Sequence, residues 1–315
     1  MLQTELHRHL DVSLRSSTIL EVAIARGLLA QSTSLASFEE QLYIRKPLES
    51  LTAVLAMFTL FQKVLATPAI LERVAFEALE DCYREGTRRV EFRFSPSFCG
   101  EFSGLSWDEI LSSFERGLER GVRSYPDMQW GLICIATRDY GVESVDETME
   151  FFLQNQARFV GCDLAGNEQN FPCRLFENSF KGVRAAGAKI TIHAGEAVGP
   201  ENIWEAIELL GASRIGHGIA AIQDPKLMAH LRERSICLEV CPTSNWLTKC
   251  VPTLEAHPLP ALLRAGVPVC INTDDPGIFG KTLPQEIEVC RLMLGMSEGE
   301  IEKCFEYAVK SSFLS

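Results

Sequence analysis

The feature that most constrains this chain is an alternation sustained along its whole length: short strand-like apolar runs separated by amphipathic helical windows. The runs fall near Thr4 to His7, Arg89 to Phe94, Gly131 to Ala136, Phe159 to Leu164, Lys189 to His193, Arg214 to His217, Ile236 to Cys241 and Val267 to Asn272. Several are apolar without a break, as expected of strands covered on both faces. Between Ala69 and Glu85, Leu71, Val74, Ala75, Ala78, Leu79 and Cys82 recur at spacings of three and four, and Gly86 supplies a stop. Ser106 is placed to cap a helix whose Ile110, Leu111, Phe114 and Leu118 share one face, and a further helix follows Pro200. Eight strands, each followed by a helix, predict an α/β fold: a closed parallel (β/α)8 TIM barrel, which commonly takes about 250 residues as one domain. Residues 1–315 therefore read as a single domain. An open doubly wound sheet is the alternative, but it would bring a Gly-rich phosphate loop after an early strand, and none is present.

The window from Leu51 to Leu65 departs from the amphipathic pattern. Leu51, Val54, Leu55, Met57, Phe58, Leu60 and Phe61 make it apolar on nearly every side. Such a helix is either core or the wall of an apolar pocket. Its place after the first strand favours an apolar lid segment at the barrel mouth.

Bulk properties narrow the partners. With 30 basic against 42 acidic residues, a net charge of -12, the chain repels phosphate backbones, so nucleic acid and anionic membrane are excluded as partners. The absence of an apolar run of about 18 residues, and of a basic segment followed by an apolar one at the start, predicts neither a membrane span nor a signal peptide. The 11 cysteines include no C-x-x-C pair and are odd in number, which suits reduced thiols in a cytoplasmic protein better than a disulfide framework. Cys237 and Cys241 bracket an apolar strand and read as core. The sequence sets no oligomeric state.

Chemistry concentrates at strand ends. His7 and His9, two apart on a strand, point to the same face. His193 ends one run and opens His193-Ala194-Gly195-Glu196; His217 ends the next, and Asp274 and Asp275 follow the last. Four of the six histidines thus fall where barrel enzymes assemble their sites, whereas His230 and His257 read as structural. Three neutral imidazoles and one carboxylate suit one Zn²⁺, with iron or cobalt as alternatives, and His7, His9, His193 and Asp274 are the expected ligands. No lysine lies between Phe159 and Leu164 to bridge two metals, so the site reads as mononuclear. Bound zinc lowers the pKa of water from 15.7 to about 7. His217 would orient the resulting nucleophile or take its proton. Glu196, three residues beyond a ligand, would donate a proton to a substrate ring nitrogen. Asp275 is left free to bond the nucleophile or the substrate.

Six segments in order then acquire a common meaning: Glu5-Leu6-His7-Arg8-His9-Leu10-Asp11, Asp163-Leu164-Ala165-Gly166, His193-Ala194-Gly195-Glu196, Arg214-Ile215-Gly216-His217-Gly218, Cys241-Pro242-Thr243-Ser244-Asn245 and Asn272-Thr273-Asp274-Asp275-Pro276. Together they resemble the adenosine deaminase family. That resemblance implies a one-zinc (β/α)8 barrel hydrolysing a cyclic amidine C–N bond, in which Glu196 donates to purine N1, His217 steers hydroxide, and Asp275 bonds N7. It also implies that the Gly166 N–H meets N3 and that Asp11 contacts the ribose, with His9 beside the substrate. The helix at 51–65 resembles the family's apolar lid. Val12 stands where the family usually has glycine, and Asn167 where it has an acidic residue. The expected reaction is deamination of adenosine and deoxyadenosine. Another aminopurine, such as aminodeoxyfutalosine or adenine, is the alternative, and a catalytically inactive ligand-binding barrel is a third reading. The cytidine-deaminase type of zinc site is excluded, because H-x-E and P-C-x-x-C do not occur.

Overall fold

The computed structural model describes residues 3–48 and 51–314, with side chains described from residue 58 onward in the helix Leu51–Val64. Among the described residues eight strands form: β1 (Gln3–His9), β2 (Thr87–Phe94), β3 (Gln129–Thr137), β4 (Gly161–Ala165), β5 (Thr191–Ala194), β6 (Arg214–His217), β7 (Cys237–Val240) and β8 (Val269–Ile271). Every paired strand is parallel, in the order β1-β2-β3-β4 and β5-β6-β7-β8. Two seams join these halves. Cys162 N donates to Lys189 O at 3.0 Å between β4 and β5. At the other seam His9 N donates to Asp274 O at 2.9 Å, and Asp274 N to His7 O at 3.1 Å. The ring is closed by these bonds, as the alternation predicts.

The helices lie where periodicity places them. The window starting near Ala69 forms Pro68–Arg84, followed by Gly86 at φ +94°. Ser106 caps Trp107–Ser124 with a full capping box, Glu109 reaching back to the Ser106 N–H at 2.9 Å. These two helices pack closely because Gly117 and Gly121 face the first of them: a Cβ on Gly117 would lie 2.2 Å from Glu72 O.

The strands alternate more sharply than their sequences suggested. On β2, Val90, Phe92 and Phe94 are buried with the apolar core around the ring, while Glu91 and Arg93 are buried among polar partners. The barrel interior is therefore an ion-pair network. Arg93 bonds Asp163 (2.8 Å) and Glu239 (2.6 Å), and Arg214 bonds Glu91 (2.7 Å) and Glu239 (2.6 Å). Charges so deep are tolerable only when each is paired and hydrogen-bonded.

In the helix Leu51–Val64 both readings hold on different faces: Phe61 and Val64 are fully buried, while Phe58 and Gln62 line the cavity at the barrel mouth. The side chains of Leu51, Val54, Leu55 and Met57, expected in the lid, lie outside the described residues.

Candidate active site

A cavity of about 790 Å³ opens at the C-terminal ends of the strands, lined by His9, Asp11, Gly166, His193, Glu196, His217, Asp274 and Asp275. His7 is fully buried behind these residues, its Nε2 3.1 Å from Asp274 Oδ1. Every residue singled out in the sequence is thus brought to one place. The ring centroids of His7 and His193 are 4.6 Å apart, those of His7 and His217 4.7 Å, and those of His7 and His9 5.5 Å. Asp274 Oδ1 lies 3.1 Å from His7 Nε2 and 3.4 Å from His9 Nε2. Strands β5 and β6 are neighbours, with Ala194 opposite His217, so His217 Nε2 approaches Glu196 Oε2 (3.5 Å) and Asp274 Oδ2 (3.8 Å).

Carboxylates behind the rings decide which nitrogen faces the cavity. His7 Nδ1 lies 2.9 Å from Glu239 Oε2, and His193 Nδ1 2.9 Å from Asp163 Oδ2. A carboxylate can only accept, so each Nδ1 carries a proton and, in the neutral ring, each Nε2 presents a lone pair. His7 Nε2 is buried with no hydrogen-bond donor, facing the lone pairs of Asp274. Two acceptors held together in a buried site repel unless a cation lies between them. The donor set therefore fits a divalent metal. His7, His193, His217 and Asp274 can bring one ligand atom each within 4.8 Å of one another, as can His9, Asp274 and Asp275.

The electrostatics favour neutral His9 and His193 rings and a charged aspartate; against burial and Arg93, which lower it, His7 is raised by Asp274 and Glu239. Burial pushes His193 down to about 4 and His9 well below the usual histidine range. Burial alone would raise Asp274, but His217, His7 and His9 hold it well below the usual carboxylate range. Glu196 is raised by burial. Asp275 is raised well above its ordinary value by burial and then by Asp274, Asp11 and Glu196, and its Oδ1 is buried without a partner. Burial raises Asp11 to about 7. Its Oδ2 accepts from Ser95 N at 2.9 Å, while its Oδ1 has no hydrogen-bond partner and lies 3.9 Å from His9 Nδ1.

Several functional neighbours were missed in the sequence. Glu239 accepts from His7, Arg93, Thr191 and Arg214. Its signal was legible: a charged residue inside the apolar run Leu238-Glu239-Val240 needs a buried partner. Glu168, next to Asn167, gathers the N–H groups of Gly195, Glu196 (2.9 Å) and Ala197 (3.1 Å) and so fixes the turn that carries Glu196. Ser244 Oγ donates to Asp274 Oδ2 at 2.7 Å. Gly166 has φ +107°, and a Cβ there would meet the Asp139 carboxylate at 2.1 Å. Val12 is 2 % exposed and lines the cavity beside Asp11. His230 packs on Trp204 in the helix Pro225–Arg234, and all eleven cysteines are free thiols. Cys237 and Cys241 take no part in the His/Asp cluster.

A closed parallel barrel with a His/Asp cluster at its C-terminal mouth, beside a buried acid, defines a hydrolase of the metal-assisted class. The chain belongs to the adenosine deaminase family, whose sequence pattern it matches over residues 3–315, and it is an enzyme that hydrolyses C–N bonds. It is 38% identical over 312 residues to the adenosine deaminase of Vibrio cholerae serotype O1, covering 99% of this chain and 93% of that one. Its structure superposes on adenine deaminase from Arthrobacter aurescens with a TM-score of 0.91 at 26% identity, covering 99% and 94% of the two chains. The N6-methyl-AMP deaminase from Arabidopsis thaliana matches with a TM-score of 0.84 at 26% identity, covering 100% and 93%.

Proposed function

We propose that residues 1–315 act as one barrel that deaminates adenosine and deoxyadenosine to the corresponding inosines and ammonia, with one zinc ion held by His7, His9, His193 and Asp274. The observation that carries the reading is the convergence of His7 Nε2, which has no hydrogen-bond partner, on Asp274 Oδ1 at 3.1 Å, with His193 and His9 beside them. Zinc there supplies a nucleophile at neutral pH by lowering the pKa of water to about 7.

The protein's own groups do the rest. Glu196, its carboxyl raised by burial, is the acid placed to give a proton to purine N1 as oxygen adds to C6. His217 orients the attacking water. The orphaned carboxyl oxygens of Asp275 and Asp11 take the N7 edge and the ribose, and the Gly166 N–H meets N3. Phe58 and Ile278 supply apolar walls for the heterocycle. Asp139 and Glu168 line the cavity beside Asp11 against one cation among the described residues, Lys249, and this excess of carboxyl groups disfavours a 5′-phosphate, which supports a nucleoside over the nucleotide handled by the Arabidopsis enzyme. Eleven free thiols support a reducing, cytoplasmic setting. Adenine is the second reading, favoured by the superposition on the A. aurescens enzyme.

The test is a panel of adenosine, deoxyadenosine, adenine and aminodeoxyfutalosine followed by ultraviolet absorbance on zinc-replete protein. Adenosine and deoxyadenosine should turn over fastest, and an inert adenosine beside rapid turnover of adenine or the 5′-extended nucleoside overturns the assignment. Glu196→Gln should retain zinc while losing at least about 10²-fold in turnover.

A further inference from the structure

A chain of hydrogen bonds that begins outside the cavity fixes which nitrogen of His217 bears its proton. Leu259 N donates to His257 Nδ1 at 3.1 Å. A backbone N–H can only donate, so Nδ1 is unprotonated and, in the neutral ring, Nε2 carries the hydrogen. Burial pushes His257 down to about 3, which keeps the ring neutral. His257 Nε2 lies 3.2 Å from Asn245 Oδ1. The Asn245 amide nitrogen then faces the site, 3.2 Å from Glu196 Oε1 and 3.1 Å from His217 Nδ1. The reversed amide would set N–H against N–H at His257 and oxygen against a carboxyl oxygen at Glu196. Its two hydrogens serve those two acceptors, so His217 Nδ1 accepts and the His217 proton sits on Nε2.

The consequence separates ligands from neighbours in a cluster where distance does not. His217 belongs to the tight group with His7, His193 and Asp274. Yet His7 and His193 have carboxylates at Nδ1 and lone pairs at Nε2, whereas His217 has a donor at Nδ1 and a hydrogen at Nε2. A protonated nitrogen has no lone pair for a cation, and it cannot accept a proton.

We propose that Asn245 and His257 are positioning residues that hold His217 as an Nε2–H donor toward the attacking water, and not as metal ligand or base, while the same amide holds the Glu196 carboxyl. The proposal deepens the deaminase reading and rests on it for its kinetic consequence alone.

The experiment reads the ring nitrogens of His217 by histidine ¹⁵N NMR in metal-free protein, and kinetics in the zinc-replete form. Wild type should show His217 protonated on Nε2. Asn245→Asp, which replaces the amide donor with an acceptor, should move the proton to Nδ1. His257→Leu should mix the two tautomers and lower kcat about 10- to 100-fold, the usual cost of losing an orienting partner, with KM within about twofold and zinc content unchanged. His257→Gln, whose amide N–H can reach Asn245 Oδ1, should restore most of the rate. A wild-type His217 protonated on Nδ1, an unmoved proton in Asn245→Asp, or equal impairment of the Leu and Gln variants overturns the proposal. Absence of turnover on every aminopurine by wild type would instead overturn the deaminase reading and leave the tautomer result standing.

Discussion

His217 and Asp274 have φ of +57° and +65°, in the left-handed region that non-glycine residues enter at a cost of order 1–3 kcal/mol. His217 ends β6 and Asp274 lies three residues past β8, and both side chains line the cavity. Strain is therefore stored at two residues of the site, held there by the Asn245 and Ser244 contacts and by the His7 and His9 backbone bonds across the seam. Glu286 shows the same residue-level economy at a distance. It is 1 % exposed, its Oε2 accepts from Thr243 N at 3.2 Å, and its Oε1 has no partner. Burial raises it to about 7, above the ordinary glutamate value of the unfolded chain. The folded state then binds more protons than the unfolded state between those two values. Stability should fall as pH rises through that window and level off above about 7, by on the order of 3 kcal/mol in total. Glu286→Gln keeps an acceptor for Thr243 and should flatten that fall. Urea denaturation at pH 5, 6, 7 and 8 checks it, and parallel curves for the two proteins would refute it. At this scale the residues that bear chemistry were legible because histidines are few and cluster at strand ends. The pairing of the ring-orienting carboxylates was not, because a charge such as Asp163 or Glu239 inside an apolar run announces a buried partner without saying which one.

At the scale of elements, local chemistry set the boundaries well. Ser106 with Glu109 three residues on fixes the start of Trp107–Ser124 by satisfying backbone donors that the first turn leaves open. What the sequence did not announce is the reason for Gly117 inside that helix, where glycine normally costs about 1 kcal/mol against alanine. The neighbouring helix supplies it: Glu72 O would lie 2.2 Å, and the Ala75 Cβ 2.7 Å, from any Cβ at that position. Gly117→Ala should therefore lower stability by about 1–3 kcal/mol despite its better helix propensity, with kcat unchanged because the contact is remote from the cavity. Thermal denaturation beside an activity assay tests this, and a stabilised variant would show that the two helices separate freely. The helix Leu51–Val64 carries the corresponding lesson for lids: an all-round apolar pattern proved to be core on the Phe61 face and cavity wall on the Phe58 face.

At the scale of the whole molecule, the proposed ligands come from β1, β5 and the segment after β8, so one cation would tie the first strand to the last across a seam with few backbone bonds. Binding to the folded state alone stabilises by about 4 kcal/mol when free metal is 1,000 times its dissociation constant. Chelation should lower Tm measurably and added Zn²⁺ should restore it, and a Tm indifferent to both would exclude a metal shared between β1 and β8. The barrel interior sharpens the expectation. Glu239 is held well below its ordinary value by Arg93 and Arg214 against the opposing effect of burial, so it stays charged beside His7.

The sequence by itself determined the ring of strands and helices, the strand ends at which chemistry would appear, and the residue types gathered there, because these follow from periodicities and caps that act over a few positions. Only the tertiary structure decided which nitrogen each histidine offers. That choice belongs to partners far along the chain: Glu239 lies 232 residues from His7, Asp163 30 from His193, and Asn245 28 from His217. A lone pair or a proton at a given atom is set by what stands 3 Å behind the ring, and no local pattern carries that information.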